Sequence, residues 1–174
     1  MSPDSLSFRV ATVADVSAIV GLVESAYRGE ESLKGWTSEA GFIEGDRTSA
    51  EEISALVRHP QARFVLAFDQ GELVGCALVK GDGGEGYFGM FSVRPARQGG
   101  GLGKRLLAEA ERTARETWNC RSMKMTVISI REELIAFYER RGYRRTATEP
   151  FPFDQHPHVK RNDFHFVVLS KPLP

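Results

Sequence analysis

The chain has 174 residues, and its 23 lysines and arginines balance 23 aspartates and glutamates, so the formal net charge is zero at neutral pH. That balance leaves no electrostatic footprint for nucleic acid or an anionic membrane. No apolar run is long enough to span a bilayer, the opening M-S-P-D-S lacks the form of a signal peptide, and a single domain over residues 1–174 is expected.

Phe8–Ala11 reads as a short strand. Thr12 and Asp15 form a capping box that opens a helix through Val16, Ile19, Val20 and Val23, ending near Gly29. A mixed segment, Glu30–Thr48, follows, with a short helix over Ser38–Phe42. Ser49 and Glu52 form a second capping box before a helix over Ala50–Arg58. Arg63–Asp69 and Glu72–Lys80 read as a hairpin turning at Gln70-Gly71, followed by a flexible glycine-rich loop, Gly81–Gly86. Tyr87–Val93 is a strand, Gly101–Thr117 a helix with its apolar face on Leu102, Leu106, Ala110 and Ala114, and Ser122–Ile128 a strand. Ser129 and Glu132 form a third capping box before a helix over Ile130–Arg141, closed by Gly142 at C′. Tyr143–Thr148 and Asp163–Leu169 are the last strands, separated by the aromatic, proline-rich P-F-P-F-D-Q-H-P-H. The order β-α-α-β-β-β-α-β-α-β-β predicts a mixed α/β domain. Cys76 lies in an apolar strand pattern and Cys120 just after a helix; both read as reduced structural cysteines of a cytoplasmic protein.

The most informative stretch is V-R-P-A-R-Q-G-G-G-L-G-K, Val93–Lys104, between a strand and a helix. A helix start carries unpaired N–H donors and partial positive charge, and glycines leave those donors uncovered, so the segment suits an anion such as a pyrophosphate. A Walker A loop is excluded twice: Gln98 stands where its first glycine belongs, and Arg105 where Ser or Thr would hold magnesium. A literal G-x-G-x-x-G at Gly84, Gly86 and Gly89 precedes a strand instead of opening a helix, which is the wrong context for a dinucleotide fold. What remains is Q-x-x-G-x-G over Gln98, Gly99, Gly100, Gly101, Leu102 and Gly103.

This loop resembles the pyrophosphate loop, [QR]-x-x-G-x-[GA], of the GNAT superfamily of acyl-CoA-dependent N-acyltransferases. About thirty residues on, R-E-E-L-I-A-F-Y-E-R-R-G-Y (Arg131–Tyr143) resembles the same superfamily's N-x-x-A-x-x-[LF]-Y-x-x-x-G-[FY], with Arg131 at the usual Asn and Leu134 at the usual Ala. The resemblance covers Arg63–Tyr143 and implies a single-domain α/β fold, a mixed central sheet of about six to seven strands flanked by helices. It implies acetyl-CoA as co-substrate, with no metal, and direct transfer to an amine in a ternary complex. Tyr138 is then the acid that protonates the leaving thiolate. Phe91, Ser92 and Val93 would offer backbone to the pantetheine, the glycine loop would hold the pyrophosphate, and Arg131 would lie near the pantetheine or phosphates. Lys104 and Arg140 are further candidates for the phosphates.

The attacking amine must be neutral, although a lysine-like amine has a pKa of about 10 in water, so a base or a water relay is needed. Glu85 and Tyr87 stand at the start of the fourth strand, where the family often places a carboxylate; Glu39 and Glu44 are other candidates. On the acceptor side, Trp36 is a candidate pocket wall, and Arg47 a holder of a carboxylate on the acceptor. His156 and His158 lack the further ligands a metal needs. Phe151 and Phe153 are candidates for closing the acceptor pocket or a homodimer interface. The expected partner is a small-molecule amine, with no nucleic acid or membrane; a protein N-terminus or lysine, or a CoA-binding module without turnover, are the alternatives.

Overall fold

Strands β2 (Ala62–Asp69) and β3 (Glu72–Asp82) are nearly continuous apolar runs, as strands buried on both faces require. The computed structural model describes residues 5–27, 47–98, 100–155, 159–160 and 162–174, and it places these strands inside the sheet. Phe64 and Leu66 enter one core cluster while Val65 and Ala67 enter another, so successive side chains serve opposite faces.

Strands β1 (Leu6–Val10), β4 (Glu85–Val93), β5 (Ser122–Ile128), β6 (Arg144–Glu149) and β7 (Phe166–Pro172) complete the sheet in the order β1-β2-β3-β4-β5-β7-β6. Neighbours are antiparallel except β4 and β5, which run parallel. Helices α1 (Val16–Tyr27) and α2 (Ala50–Arg58) cover one face, where Ile19, Leu22 and Ile53 meet Phe64, Leu66 and Leu78. Helices α3 (Leu102–Trp118) and α4 (Glu132–Arg140) cover the other through Leu106, Leu107, Ala110, Leu134 and Phe137. The mixed α/β architecture and seven-stranded sheet are those expected. The predicted helix over Ser38–Phe42 lies outside the described residues. No helix among the described residues is long and apolar enough to cross a membrane.

Several local expectations change. The hairpin at Gln70-Gly71 forms with φ of 51° and 82°, the left-handed pair that a two-residue turn needs. The predicted loop Gly81–Gly86 is instead mostly strand: β3 runs to Asp82, β4 begins at Glu85, and only Gly83-Gly84 turn. Gly81 is glycine because of crowding: a Cβ there would lie 2.5 Å from Cγ and Cδ2 of Trp118. The third capping box does not form. Ser129 Oγ accepts a hydrogen bond from the His165 N–H at 3.0 Å, and the helix begins at Glu132 with Arg131 in the cap position. Ser49 caps α2 by accepting from the Glu52 N–H at 3.2 Å, but the Glu52 carboxylate takes the Thr48 hydroxyl at 2.8 Å instead of completing the box. The last strand starts at Phe166, three residues later than predicted, because Phe164 joins an aromatic cluster with Phe151 and Ile128.

Gly81→Ala should destabilise the protein by about 1–3 kcal/mol through overpacking against Trp118. Urea unfolding should show a lower midpoint with an unchanged slope; an unshifted midpoint would mean that Trp118 gives way without cost.

Candidate active site

Two cavities lie side by side on the edge of the α3–α4 layer, and adjoining residues of β4 and α4 divide them. Val93 and Phe137 line the first; Phe91 and Tyr138 line the second. Phe91 and Phe137 stack at 5.8 Å between ring centroids, which fixes the wall.

The first cavity, of about 280 Å³, sits at the start of α3. Gly101 occupies the cap position with φ of 83°, a left-handed conformation costly for other residues, and no side chain caps the helix. The first intrahelical bond runs from the Arg105 N–H to the Gly101 carbonyl, which leaves the preceding N–H donors without intrahelical acceptors. Gly103 serves packing: a Cβ there would lie 3.0 Å from Phe91 Cζ. The Gln98 amide donates to the Val93 carbonyl at 3.0 Å and ties the loop back to the strand it leaves. Upstream, Arg97 pairs with the buried Asp69 at 2.5 Å and Arg94 Nε donates to the Leu73 carbonyl at 2.7 Å, anchoring the loop to the β2–β3 turn. Serine and arginine hydrogen bonds, the Ser5 hydroxyl foremost, hold the Asp69 carboxyl below its ordinary range, so the anchor is charged at neutral pH.

Lys104, Arg140 and Arg141 line this cavity, with Glu133 as the acidic residue among its described lining. The Arg141 guanidinium lies 4.7 Å from the Phe137 ring centroid, and its Nε is buried with no hydrogen-bond partner. Uncapped helix donors, three cations and an orphaned donor together fit a diphosphate. Arg140 was expected here; Arg141 was not, although it follows directly in R-R-G-Y. Gly100 and Leu102 belong to the same helix start, Leu102 fully buried, and Gly99 lies outside the described residues.

The second cavity, of about 200 Å³, opens where β4 leaves β5. The two strands pair only at Glu85, Gly86 and Tyr87 against Ser122, Met123 and Lys124. Beyond that point β5 stays paired with β7, while β4 stays paired with β3 through a bulge in which Met90 and Phe91 face Ala77. Met90 there adopts φ of 46°. A bulge bends its strand, and here the bend coincides with the gap. Ser92 is fully buried, and its hydroxyl donates to the Met90 carbonyl at 3.0 Å, bracing the bulge from within. Phe91 is also buried, so its backbone, more than its side chain, is what the slot can use, while the buried Val93 lines the first cavity. Such a slot, at the carboxyl end of adjacent parallel strands, is the usual ligand crevice of an α/β sheet.

Tyr138 is not at the edge of the apolar stripe, as the helical pattern suggested. It is 3% exposed and ringed by Phe88, Phe91, Phe137 and Tyr143, yet it lines the slot. Burial, above all, pushes its phenol well above the ordinary value of 10.0, which keeps the hydroxyl protonated at neutral pH. Tyr87 also lines the slot, its ring laid across Gly89, where a Cβ would meet Tyr87 Cε1 at 2.7 Å. Glu85 is different: it is exposed, pairs with Lys124 at 2.8 Å, and is absent from the described lining of both cavities.

Arg131 was expected near the pantetheine or phosphates, one turn into its helix. It stands at the cap of α4 rather than within the helix, 9% exposed, and lines the second cavity with Arg47. Both guanidinium groups approach the ring of Tyr27, Arg47 at 5.2 Å and Arg131 at 5.3 Å. Tyr27 carried no sequence signal beyond ending an amphipathic helix. Trp36, Glu39, Glu44, His156 and His158 lie outside the described residues. Phe151 and Phe153 pack with Phe164 and Phe166, and Phe166 itself lines the slot, so this cluster buttresses one end of it. Both cysteines are free and buried; burial raises the Cys76 thiol to about 12, far from a usable thiolate. No cluster able to hold a metal is found among the described residues.

Known proteins share this layout. A spermidine N-acetyltransferase chimera from Vibrio cholerae and hSSAT superposes with a TM-score of 0.71 at 16% identity, covering 97% of this chain and 96% of that one. A GNAT-family acetyltransferase from Streptococcus pneumoniae gives 0.68 at 17% identity over 97% and 99%. The Escherichia coli ribosomal-protein-S18-alanine N-acetyltransferase gives 0.73 at 12% identity over 97% and 94%. No curated protein matches the sequence. Residues 24–143 match the profile of the Acetyltransferase (GNAT) family, the same stretch that carries the glycine loop, the strand gap and Tyr138, and the chain belongs to that family.

Proposed function

We propose that the protein transfers the acetyl group of acetyl-CoA to the primary amine of a small molecule, by direct attack in a ternary complex. The observation that carries this reading is the adjacency of the two cavities: an anion site at the start of α3 lies beside a slot with a protonated tyrosine on its wall, neighbouring residues of β4 and α4 lining both. Bound acetyl-CoA would supply a thioester, which the amine attacks at its carbonyl as the thiolate departs.

The residues divide the work. The N–H donors after Gly101, with Lys104, Arg140 and Arg141, hold the diphosphate. The β4 backbone from Phe91 to Val93, freed from β5, offers strand-like hydrogen bonds to the pantetheine amides, and a β4 N–H can polarise the carbonyl. Tyr138 holds a proton at its hydroxyl and gives it to the departing sulfur. Glu85 is unsuited as the base, since Lys124 engages it away from the slot; a water relay through the polar groups of the slot takes the proton from the amine. The buried, protonated cysteines leave no thiolate for a covalent acyl-enzyme.

Titration calorimetry with acetyl-CoA, with a thiol-release assay across amine classes, tests the reading; absence of acetyl-CoA binding overturns it. Tyr138→Phe should lower kcat by about 100-fold or more, the usual worth of a positioned acid, with acetyl-CoA affinity nearly unchanged. Arg141→Leu should weaken acetyl-CoA binding about tenfold and dephospho-pantetheine thioesters hardly at all, the loss expected of one charge-assisted contact. Because Tyr138 titrates well above 10.0, kcat should rise as the acceptor amine deprotonates and show no falling limb below about pH 10. A fall between neutrality and that pH would assign the acid elsewhere.

A further inference from the structure

The second cavity is charged in a way that acetyl transfer by itself does not need. Its described lining holds two charged side chains, and both are arginines. They come from distant parts of the chain: Arg47 from the segment before α2, Arg131 from the turn between β5 and α4. The two guanidinium groups share the Tyr27 ring, at 5.2 and 5.3 Å from its centroid. Guanidinium is always charged, so two positive charges reach one partly enclosed site, each in contact with the same ring. Tyr27 is itself buried, which fixes the ring both cations rest on.

The position of Arg131 sharpens the point. The start of a helix is electropositive and favours anions, so a cation in the cap position has the wrong sign for helix stability. Glu132 and Glu133 occupy the first turn as expected for a helix start, whereas Arg131 turns into the cavity side of the cap. Its backbone is held there from both sides: its N–H donates to the Ile128 carbonyl at 3.0 Å, and its carbonyl accepts from the Ile135 N–H at 3.1 Å. Helix start, Arg131 and Arg47 thus add their fields at one place, and neither arginine is among the described residues lining the glycine-loop cavity. The glycine-loop cavity has its own cations; this pair lines the slot.

Resting on the acetyl-transfer reading above, we propose that the acceptor is a primary amine that also carries a carboxylate, an amino acid or an ω-amino acid, and that Arg131 and Arg47 bind that carboxylate across Tyr27. Planar guanidinium groups match a carboxylate in two parallel hydrogen bonds. With its carboxylate on the Arg131–Arg47 wall, the amine of such a molecule is directed toward the β4 side of the slot, where Tyr138 stands. A diamine would bring a second positive charge against the arginines and be rejected.

The test uses sets of amino acids, their methyl esters and their decarboxylated amines, with a diamine as the cationic member. Acetyl-CoA is saturating, and rates are compared at equal concentrations of neutral amine. The free acid should exceed its ester and its decarboxylated partner about 10- to 100-fold in kcat/KM, the range a charge-assisted pair supplies. The preference should shrink about tenfold, through KM, in Arg131→Gln and in Arg47→Gln, and acetyl-CoA affinity should change less than twofold. Arg47 is half-buried, so its variant keeps the test available if Arg131→Gln fails to fold. Calorimetric binding of the same acids and amines to the CoA-loaded protein gives a readout independent of turnover. Thiol release without preference for any acid overturns this inference and leaves acetyl transfer standing. Preferential binding of an acid without thiol release upholds the anion site and overturns the transfer reading. Loss of acetyl-CoA affinity in Arg131→Gln with acid preference intact returns Arg131 to the cofactor and overturns the assignment.

Discussion

Strand β4 is asked to do two incompatible things, and the conflict builds the site. It must stay paired with β3 to hold the sheet, and it must leave β5 to open a crevice. The bulge at Met90 and Phe91 against Ala77 reconciles these demands by bending the strand after its three pairs with β5. A bulge interrupts a buried ladder, and the Ser92 hydroxyl answers part of that cost by taking the Met90 carbonyl within the fully buried interior. Phe91 then projects into the α3–α4 layer. There it stacks on Phe137 and lies so near α3 that a Cβ at Gly103 would crowd its ring. The glycine loop, the aromatic wall and the slot all follow from this one bend.

The cations are sorted by that wall. Lys104, Arg140 and Arg141 line the cavity at the helix start, and Arg47 and Arg131 line the slot. In a chain whose formal charge is zero, the sorting cannot come from an overall field. It comes from where each backbone segment ends. Arg140 and Arg141 close α4, a favourable end for cations, and that end reaches the glycine loop. Arg131 opens the same helix and reaches the slot. One nine-residue helix thereby serves both cavities from its two ends, with Phe137 and Tyr138 on the wall between them.

The order of elements, the hairpin turn at Gln70-Gly71 and the glycine-rich helix start were legible in the sequence, because each rests on local chemistry. Periodicity shows which residues are apolar together, and paired left-handed residues such as Gln70-Gly71 have few other uses. Capping was less legible. Ser129 has the right spacing to cap a helix, but its hydroxyl bonds the backbone at His165, far along the chain. A side chain that satisfies a local pattern can always be claimed by a remote donor, and no window of sequence reveals the competitor. Gly81 shows the same limit: it reads as a flexible turn, yet its lack of a side chain answers the Trp118 ring, which sits on a helix two elements away.

By itself the sequence determined that this chain folds as an α/β domain with an anion-ready helix start and a tyrosine some thirty-five residues after it, because spacing and glycine placement are properties of neighbouring residues. Only the tertiary structure decided how deeply Tyr138 is buried, that Glu85 is spent on Lys124, and that Arg131 stands with Arg47 over Tyr27 instead of with the phosphate cations. Burial and charge pairing depend on which remote segments meet. That is set by strand order and by the parting of β4 from β5, neither of which any local pattern encodes.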